Sequence, residues 1–192
     1  MFHVKHLANN NHYNSLIMNN KTLIENLRCI PDFPKKGINF RDVTTLYKSA
    51  ECMKIMTDEL YELYKDKGIT KIVGIESRGF IMAAALASRL GCGMVMARKP
   101  GKLPYATIKS SFSKEYGVDT IEMHLDSIEP DDVVLIHDDL LATGGTAKAA
   151  YNLVQYFKPK KVYMNFIIEI TDEGLHGRDE FEGIDLTTLL TI

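Results

Sequence analysis

Two adjacent carboxylates, Asp138 and Asp139, close the apolar run VVLIH, and a glycine pair follows between two threonines, Thr143-Gly144-Gly145-Thr146. Glycines at a helix start let a ligand approach the backbone, and the amides there, reinforced by the helix dipole, hold phosphate. Ionised carboxylates only accept hydrogen bonds, so they repel a phosphate and bind hydroxyls. The two halves of the stretch therefore suit different parts of one ligand. A ribose 5-phosphate meets both, with its phosphate on Ala142, Thr143, Gly144, Gly145 and Thr146 and its diol on Asp138 and Asp139. Two more turns carry charge. Glu76-Ser77-Arg78 stands between an apolar run and a helix-like segment, where backbone amides and the Arg78 guanidinium suit a second anion. Arg98, Lys99 and Lys102 share the Pro-Gly turn RKPGK, counter-charge for a ligand bearing several negative groups. In GINFRD, Phe40 offers a flat face for stacking a purine, a face that accepts any base.

Other phosphate and nucleophile motifs do not fit. A Walker A loop needs a lysine before the Ser/Thr, and residues 144–146 are Gly-Gly-Thr. Gly91 and Gly93 supply two spaced glycines, but they precede a strand-like run instead of following one. Neither a G-x-S-x-G elbow nor an H-E-x-x-H pair occurs.

The elements that must position these turns follow from periodicity. Residues 71–75, 93–97, 120–124, 133–137 and 161–170 read as strands, with 186–190 as an edge strand. Residues 79–90 and 145–157 read as helices, the first ended by Gly91. A helix capped by Ser49 runs to about Lys67, burying Met53, Met56, Leu60 and Leu63, and a shorter one spans 21–29 behind Asn20. Residues 30–42, with two prolines and a glycine, read as an ordered loop. Alternating strand and helix predicts an α/β fold, a mostly parallel twisted sheet with helices on both faces. In such sheets ligands sit at the carboxyl ends of strands, which is where the charged turns fall.

Composition narrows the function classes. At 192 residues the chain suits one domain, taken as 21–192 behind a loosely ordered tail over 1–20, with Met1 and Met18 both open as initiator. The tail's His3, His6 and His12 lack the spacing of a zinc site. A net charge of −2 lacks the basic face that nucleic acid requires. The longest apolar segment, residues 80–87, is too short to span a bilayer, so no membrane partner is expected. The three cysteines, Cys29, Cys52 and Cys92, form no disulfide framework, which fits a reducing, cytoplasmic setting.

VVLIHDDLLATGGT resembles the phosphoribosyl-diphosphate-binding motif of the type I phosphoribosyltransferases, and its DDLLATGGT form resembles the adenine-using members. PDFPKKGINFRD, GIESRGF, RKPGKLP and KEYG agree in order, from about residue 21 onward. The resemblance implies that fold, with a small N-terminal hood and a flexible lid loop. It implies transfer of phosphoribosyl to adenine, giving AMP and pyrophosphate in purine salvage. It places pyrophosphate on Glu76, Ser77, Arg78, Arg98, Lys99 and Lys102, with a non-proline cis peptide expected at Glu76–Ser77. Asn39, Phe40 and Arg41 match the adenine-reading segment, and Glu115 and Tyr116 match a lid whose glutamate takes part in catalysis beside Asp138 and Asp139. Mg²⁺, bound mainly through the substrate diphosphate, is the implied cofactor, and a homodimer the implied assembly. Asn39 and His137 stand where the family often has aliphatic residues, and Lys36 where it often has proline. Asn39 leaves hypoxanthine, guanine or xanthine open as the base, and His137 reads as a satisfied structural histidine at a strand end. A sensor of phosphoribosyl diphosphate on the same fold is the reading from another class. The 176–181 segment, HGRDEF, keeps only part of the family's C-terminal pattern.

Overall fold

The computed structural model describes residues 20–114 and 117–192, so residues 1–19 of the expected tail lie outside the described residues, as do Glu115 and Tyr116, while residue 20 is already helical. The chain divides within its longest helix into two compact units, one up to Asp58 and one from Glu59 to Ile192.

In the first unit, helical residues 20–26 (α1) lead into β1, Arg28–Ile30, which pairs antiparallel with β2, Phe40–Asp42. The helix expected over 21–29 therefore stops early, and Arg28 and Cys29 join a strand. Arg28 explains why: its Nε and Nη2 lie 3.0 Å and 2.5 Å from Oδ2 of Asp42, its partner across the ladder. Asp42 Oδ1 accepts from the Thr44 amide at 3.0 Å and the Thr44 hydroxyl at 2.6 Å, opening the short helix α2, Thr44–Tyr47. Those bonds, with Arg28, hold the Asp42 carboxyl below its ordinary range despite its burial. Between the strands the loop turns through a cis Phe33–Pro34 bond.

Helix α3, Ala50–Tyr64, begins where Ser49 Oγ accepts the Cys52 amide at 3.3 Å, as expected of an N-cap. Its buried stripe runs Cys52, Met56, Leu60, Tyr64, a strict four-residue spacing. Leu63, expected inside, is 41% exposed because the stripe passes to Tyr64.

The second unit is built on a five-stranded sheet in the order β4-β3-β7-β8-β9. The strands are β3 Lys71–Ile75, β4 Gly93–Ala97, β7 Val133–Leu141, β8 Lys161–Glu169 and β9 Asp185–Thr191, and every pairing is parallel. Val73, Ile75, Val134 and Ile136 face helix α5, Gly145–Tyr156, in one core with Ala150, Leu153 and Val154. The alternate residues face α4, Gly79–Leu90, so the helices cover opposite faces. Gly74 lets α4 in: a Cβ there would stand 3.0 Å from the Ala83 Cβ. Each fully buried Leu or Ile contributes about 1.5–3 kcal/mol relative to exposure.

Two features depart from the sequence reading. Strand β7 runs four residues past His137, still paired to β8 at Asp138, Leu140 and Leu141, so the carboxylates lie on the strand and not in the turn. The strand expected over 120–124 is longer and paired, with residues on both sides of Glu115 and Tyr116 forming an antiparallel ribbon of β5, Thr107–Lys114, and β6, Gly117–His124. Its Phe112 packs on α5, where a Cβ on Gly145 would stand 3.1 Å from the ring.

Candidate functional site

The carboxyl ends of β3, β4 and β7 carry the three charged turns. A cleft of about 220 Å³ opens at the end of β7, lined by Arg78, Asp138, Asp139 and residues 140–147. That is room for several water volumes of about 30 Å³ each, the scale of one sugar phosphate. It joins the two acids, the glycine turn and one guanidinium that the sequence set apart.

Gly144 takes φ +81° as the residue before α5, and no side chain caps the helix. The first amides of α5 therefore have no side-chain acceptor, which is the condition for holding an anion. Thr143 is exposed and Thr146 half-buried beside them.

Asp138 and Asp139 sit deeper. Asp139 is buried, Asp138 half-buried, and the Asp139 amide donates to Asp138 Oδ1 at 2.9 Å. Burial pushes the Asp138 carboxyl well above its ordinary value, and the charge of Asp139 adds to that. Burial raises Asp139 as well, against the pull of Arg78. Arg78 Nε stands 2.6 Å from Asp139 Oδ2, yet that oxygen has no aligned hydrogen bond. The contact is an ion pair at close range without the geometry of a directed bond. Gly79, which the sequence offered only as a helix start, makes this approach possible. A Cβ there would lie 2.8 Å from both Asp138 Oδ1 and the His137 carbonyl.

Glu76, Arg98 and Lys99 form a second group. The peptide Glu76–Ser77 is cis, as the resemblance implied. Arg98 Nε lies 3.2 Å from Glu76 Oε2, and the Lys99 amide donates to the same oxygen at 2.9 Å. Burial would raise the Glu76 carboxyl, but the Lys99 amide and Arg98 outweigh it and hold it below its usual range. Its charge is thus committed to the basic turn, while Ser77 and the chains of Lys99 and Lys102 are exposed. Glu122, which sequence reasoning passed over, holds the other side of that turn. Its Oε1 accepts the Gly101 amide at 2.8 Å, and Arg98 and Glu122 exchange backbone bonds of 2.9 and 2.7 Å. Nothing in the string TIEMH marks that glutamate as inward-facing.

Asn39, Phe40 and Arg41 lie in the first unit, on and just before β2. Asn39 is exposed, and Phe40 is half-buried with its ring 5.2 Å from Phe33 in an edge-to-face pair. Glu115 and Tyr116 fall outside the described residues.

His137 is not at a strand end, and only one of its nitrogens is satisfied. Nδ1 lies 3.0 Å from Asn165 Oδ1, whereas Nε2 is buried without a hydrogen-bond partner. Asn165 continues to Thr187 Oγ1 at 3.0 Å, and Thr187 to the Tyr64 hydroxyl at 2.6 Å, a polar chain through the sheet. Burial holds the His137 pKa down to about 4, so the ring is neutral.

Comparison with known proteins gives this geometry its setting. Residues 42–177 match the model of the phosphoribosyl transferase domain. An adenine phosphoribosyltransferase of Phocaeicola vulgatus is 61% identical over 176 residues, covering 91% of this chain and 100% of that protein. The crystal structure of an adenine phosphoribosyltransferase from Rhodothermus marinus aligns with a TM-score of 0.85 at 46% identity, over 92% of this chain and 99% of that one. One from Saccharomyces cerevisiae, solved with an imino-altritol bisphosphate and adenine, aligns with a TM-score of 0.83 at 35% identity, over 91% and 99%.

Proposed function

The chain belongs to the phosphoribosyl transferase domain family, and from that premise we infer that it transfers the 5-phosphoribosyl group of phosphoribosyl diphosphate to adenine, giving AMP and pyrophosphate. The observation that carries the reading is the single cleft in which an uncapped helix start, two carboxylates and Arg78 meet. In the reaction the bond from the anomeric carbon to pyrophosphate breaks and a bond to the purine nitrogen forms. Positive charge builds on the sugar between those events. Asp138 and Asp139 accept the ribose hydroxyls and favour that charge electrostatically. The amides and hydroxyls of residues 142–146 anchor the 5-phosphate, so binding energy remote from the reacting carbon positions it. Arg78, Arg98, Lys99 and Lys102 stabilise the departing pyrophosphate, with Glu76 holding the turn that presents three of them. Asn39, Phe40 and Arg41 receive the adenine. Glu115 takes the proton that the purine nitrogen loses, and Tyr116 accompanies it in the lid.

Mg²⁺ belongs to this reading as a partner of the diphosphate. Among the described residues no group of three His, Cys, Asp or Glu converges as a metal cage. The oxygens of the substrate diphosphate, with water, would hold such an ion. Bound there, it would neutralise charge on the leaving pyrophosphate. A homodimer in the cytoplasm completes the proposal. Ile81 and Met96, 41% and 42% exposed on α4 and the edge strand β4, supply apolar surface for a second copy. No described helix is long and apolar enough to cross a membrane.

The test is incubation with phosphoribosyl diphosphate and Mg²⁺, offering adenine, hypoxanthine, guanine or xanthine in parallel. AMP from adenine alone is the expected result. Nucleotide from another base would assign a different specificity to Asn39. No product despite tight binding of phosphoribosyl diphosphate would make the chain a sensor.

A further inference from the structure

The phosphate turn is not supported by its own strand and helix alone. A segment far along the chain, the 3₁₀ turn Gly177–Phe181 that follows β8, lies directly against it. A Cβ on Gly177 would stand 2.2 Å from the Ala142 carbonyl oxygen and 2.9 Å from the Gly144 amide nitrogen. Reciprocally, a Cβ on Gly144 would stand 2.8 Å from the Gly177 carbonyl oxygen. Two backbones touch here, and each needs a glycine to do so.

The approaching segment is held at both ends. Arg178 forks onto the buried Glu169 at the end of β8, Nε to Oε1 at 2.8 Å and Nη2 to Oε2 at 2.5 Å. Its Nη1 also reaches the Leu186 carbonyl of β9 at 3.2 Å. Lys148 of α5 donates to the Glu180 carbonyl at 2.7 Å. Glu169 pairs in register with Leu141, the last residue of β7 before the turn. The clamp therefore ties the turn's rear face to the strand entering it and the helix leaving it.

We propose that Gly177 and Arg178 are positioning residues for the 5-phosphate subsite, acting through the backbone of residues 142–144. An anion site made of amides works only if those amides already point at the ligand. A short turn with two glycines loses much conformational freedom on ordering, and without a rear support that loss falls on binding. The clamp settles it on folding instead. The proposal rests on the phosphoribosyl reading of the cleft.

The experiment titrates ribose 5-phosphate and, separately, pyrophosphate with Mg²⁺ into the wild-type chain, Gly177→Ala, Arg178→Met and Arg178→Lys, with folding checked by circular dichroism. KM for phosphoribosyl diphosphate and for adenine is measured alongside. Gly177→Ala and Arg178→Met are expected to weaken ribose 5-phosphate roughly tenfold to a hundredfold, the scale of a small misplacement in a site. Pyrophosphate affinity and the KM for adenine stay at wild-type values. Arg178→Lys, which keeps the charge but loses the fork, falls between. A general loss of structure would weaken both ligands together, and that result overturns the clamp, as does unchanged ribose 5-phosphate affinity in the variants. If Gly177→Ala does not fold, the two Arg178 variants decide. A wild-type chain that binds neither ligand would overturn the phosphoribosyl reading and the clamp with it.

Discussion

Asp138 and Asp139 hold like charges side by side in a shielded place, and the Arg78 guanidinium stands 2.6 Å from Asp139. Both carboxyls are raised, so the pair favours the folded state when protonated. That advantage is lost as pH climbs from the ordinary aspartate value through the raised one, and near neutrality the pair opposes folding. Asp138→Asn removes the repulsion while its amide oxygen still accepts the Asp139 amide. The variant is expected to melt about 2–4 °C higher, a shift of roughly 1 kcal/mol for a chain of this size. Its kcat should fall by about a hundredfold or more, since the sugar loses an anionic neighbour. Calorimetry and steady-state assay on one preparation check both. A lower melting temperature would mean that the pair is not strained by its own charge. These acids and the Thr-Gly-Gly-Thr turn were legible in the sequence because the chemistry is local. The glycines that make room, Gly79 and Gly177, were not, because a close approach depends on which distant backbone arrives.

At the scale of elements, the site exists because α4 and β7 dock without a side chain between them. Gly79→Ala puts a methyl group 2.8 Å from Asp138 Oδ1 and the His137 carbonyl, both too close to keep. Helix α4 must then retreat and carry Arg78 away from Asp139. The expected cost is about 1–3 kcal/mol of stability, read from the urea midpoint. The KM for phosphoribosyl diphosphate should rise further than the KM for adenine. Equal changes in the two would place Arg78 outside the diphosphate site. The strands and helices themselves were readable from periodicity, with identifiable misses. Leu63 looked like a core residue because three- and four-residue steps both fit a helix, and only packing selects Tyr64. Strand β7 looked finished at His137 because aspartates are poor strand formers, yet pairing with β8 carries it to Leu141. Residues 110–117 read as a polar segment before the strand at 120–124, and their pairing stayed hidden because Ile108, Phe112, Ile121 and Met123 join the α5 core only once both strands are side by side.

For the whole molecule, the polar chain from His137 through Asn165 and Thr187 to Tyr64 links β7, β8, β9 and α3. Its histidine has a pKa of 6.5 when unfolded and about 4 in place. Between those values the unfolded chain binds the extra proton, so stability is full above 6.5 and falls as pH drops toward 4. The loss approaches ~3 kcal/mol, taking 1.36 kcal/mol per pH unit. Urea midpoints at pH 7.5, 6, 5 and 4.5 should show it, and His137→Leu should flatten that slope while lowering stability at neutral pH, where Asn165 Oδ1 loses its donor. A slope unchanged by the substitution would assign the acid sensitivity elsewhere. The sequence flagged His137 as a departure, but its Asn165 partner stands across a strand pair and no spacing reveals it.

The contact between Gly177 and the 142–144 turn also has a consequence in time. Synthesis runs from the amino end, and helix α5 and strand β8 separate the turn from its support. A growing chain that has already made both aspartates and both glycines of the turn still lacks the backbone that holds them in place. On the clamp proposal, substrate is expected to gain no firm grip on the nascent protein until residues 177–181 have been made and have packed against the turn.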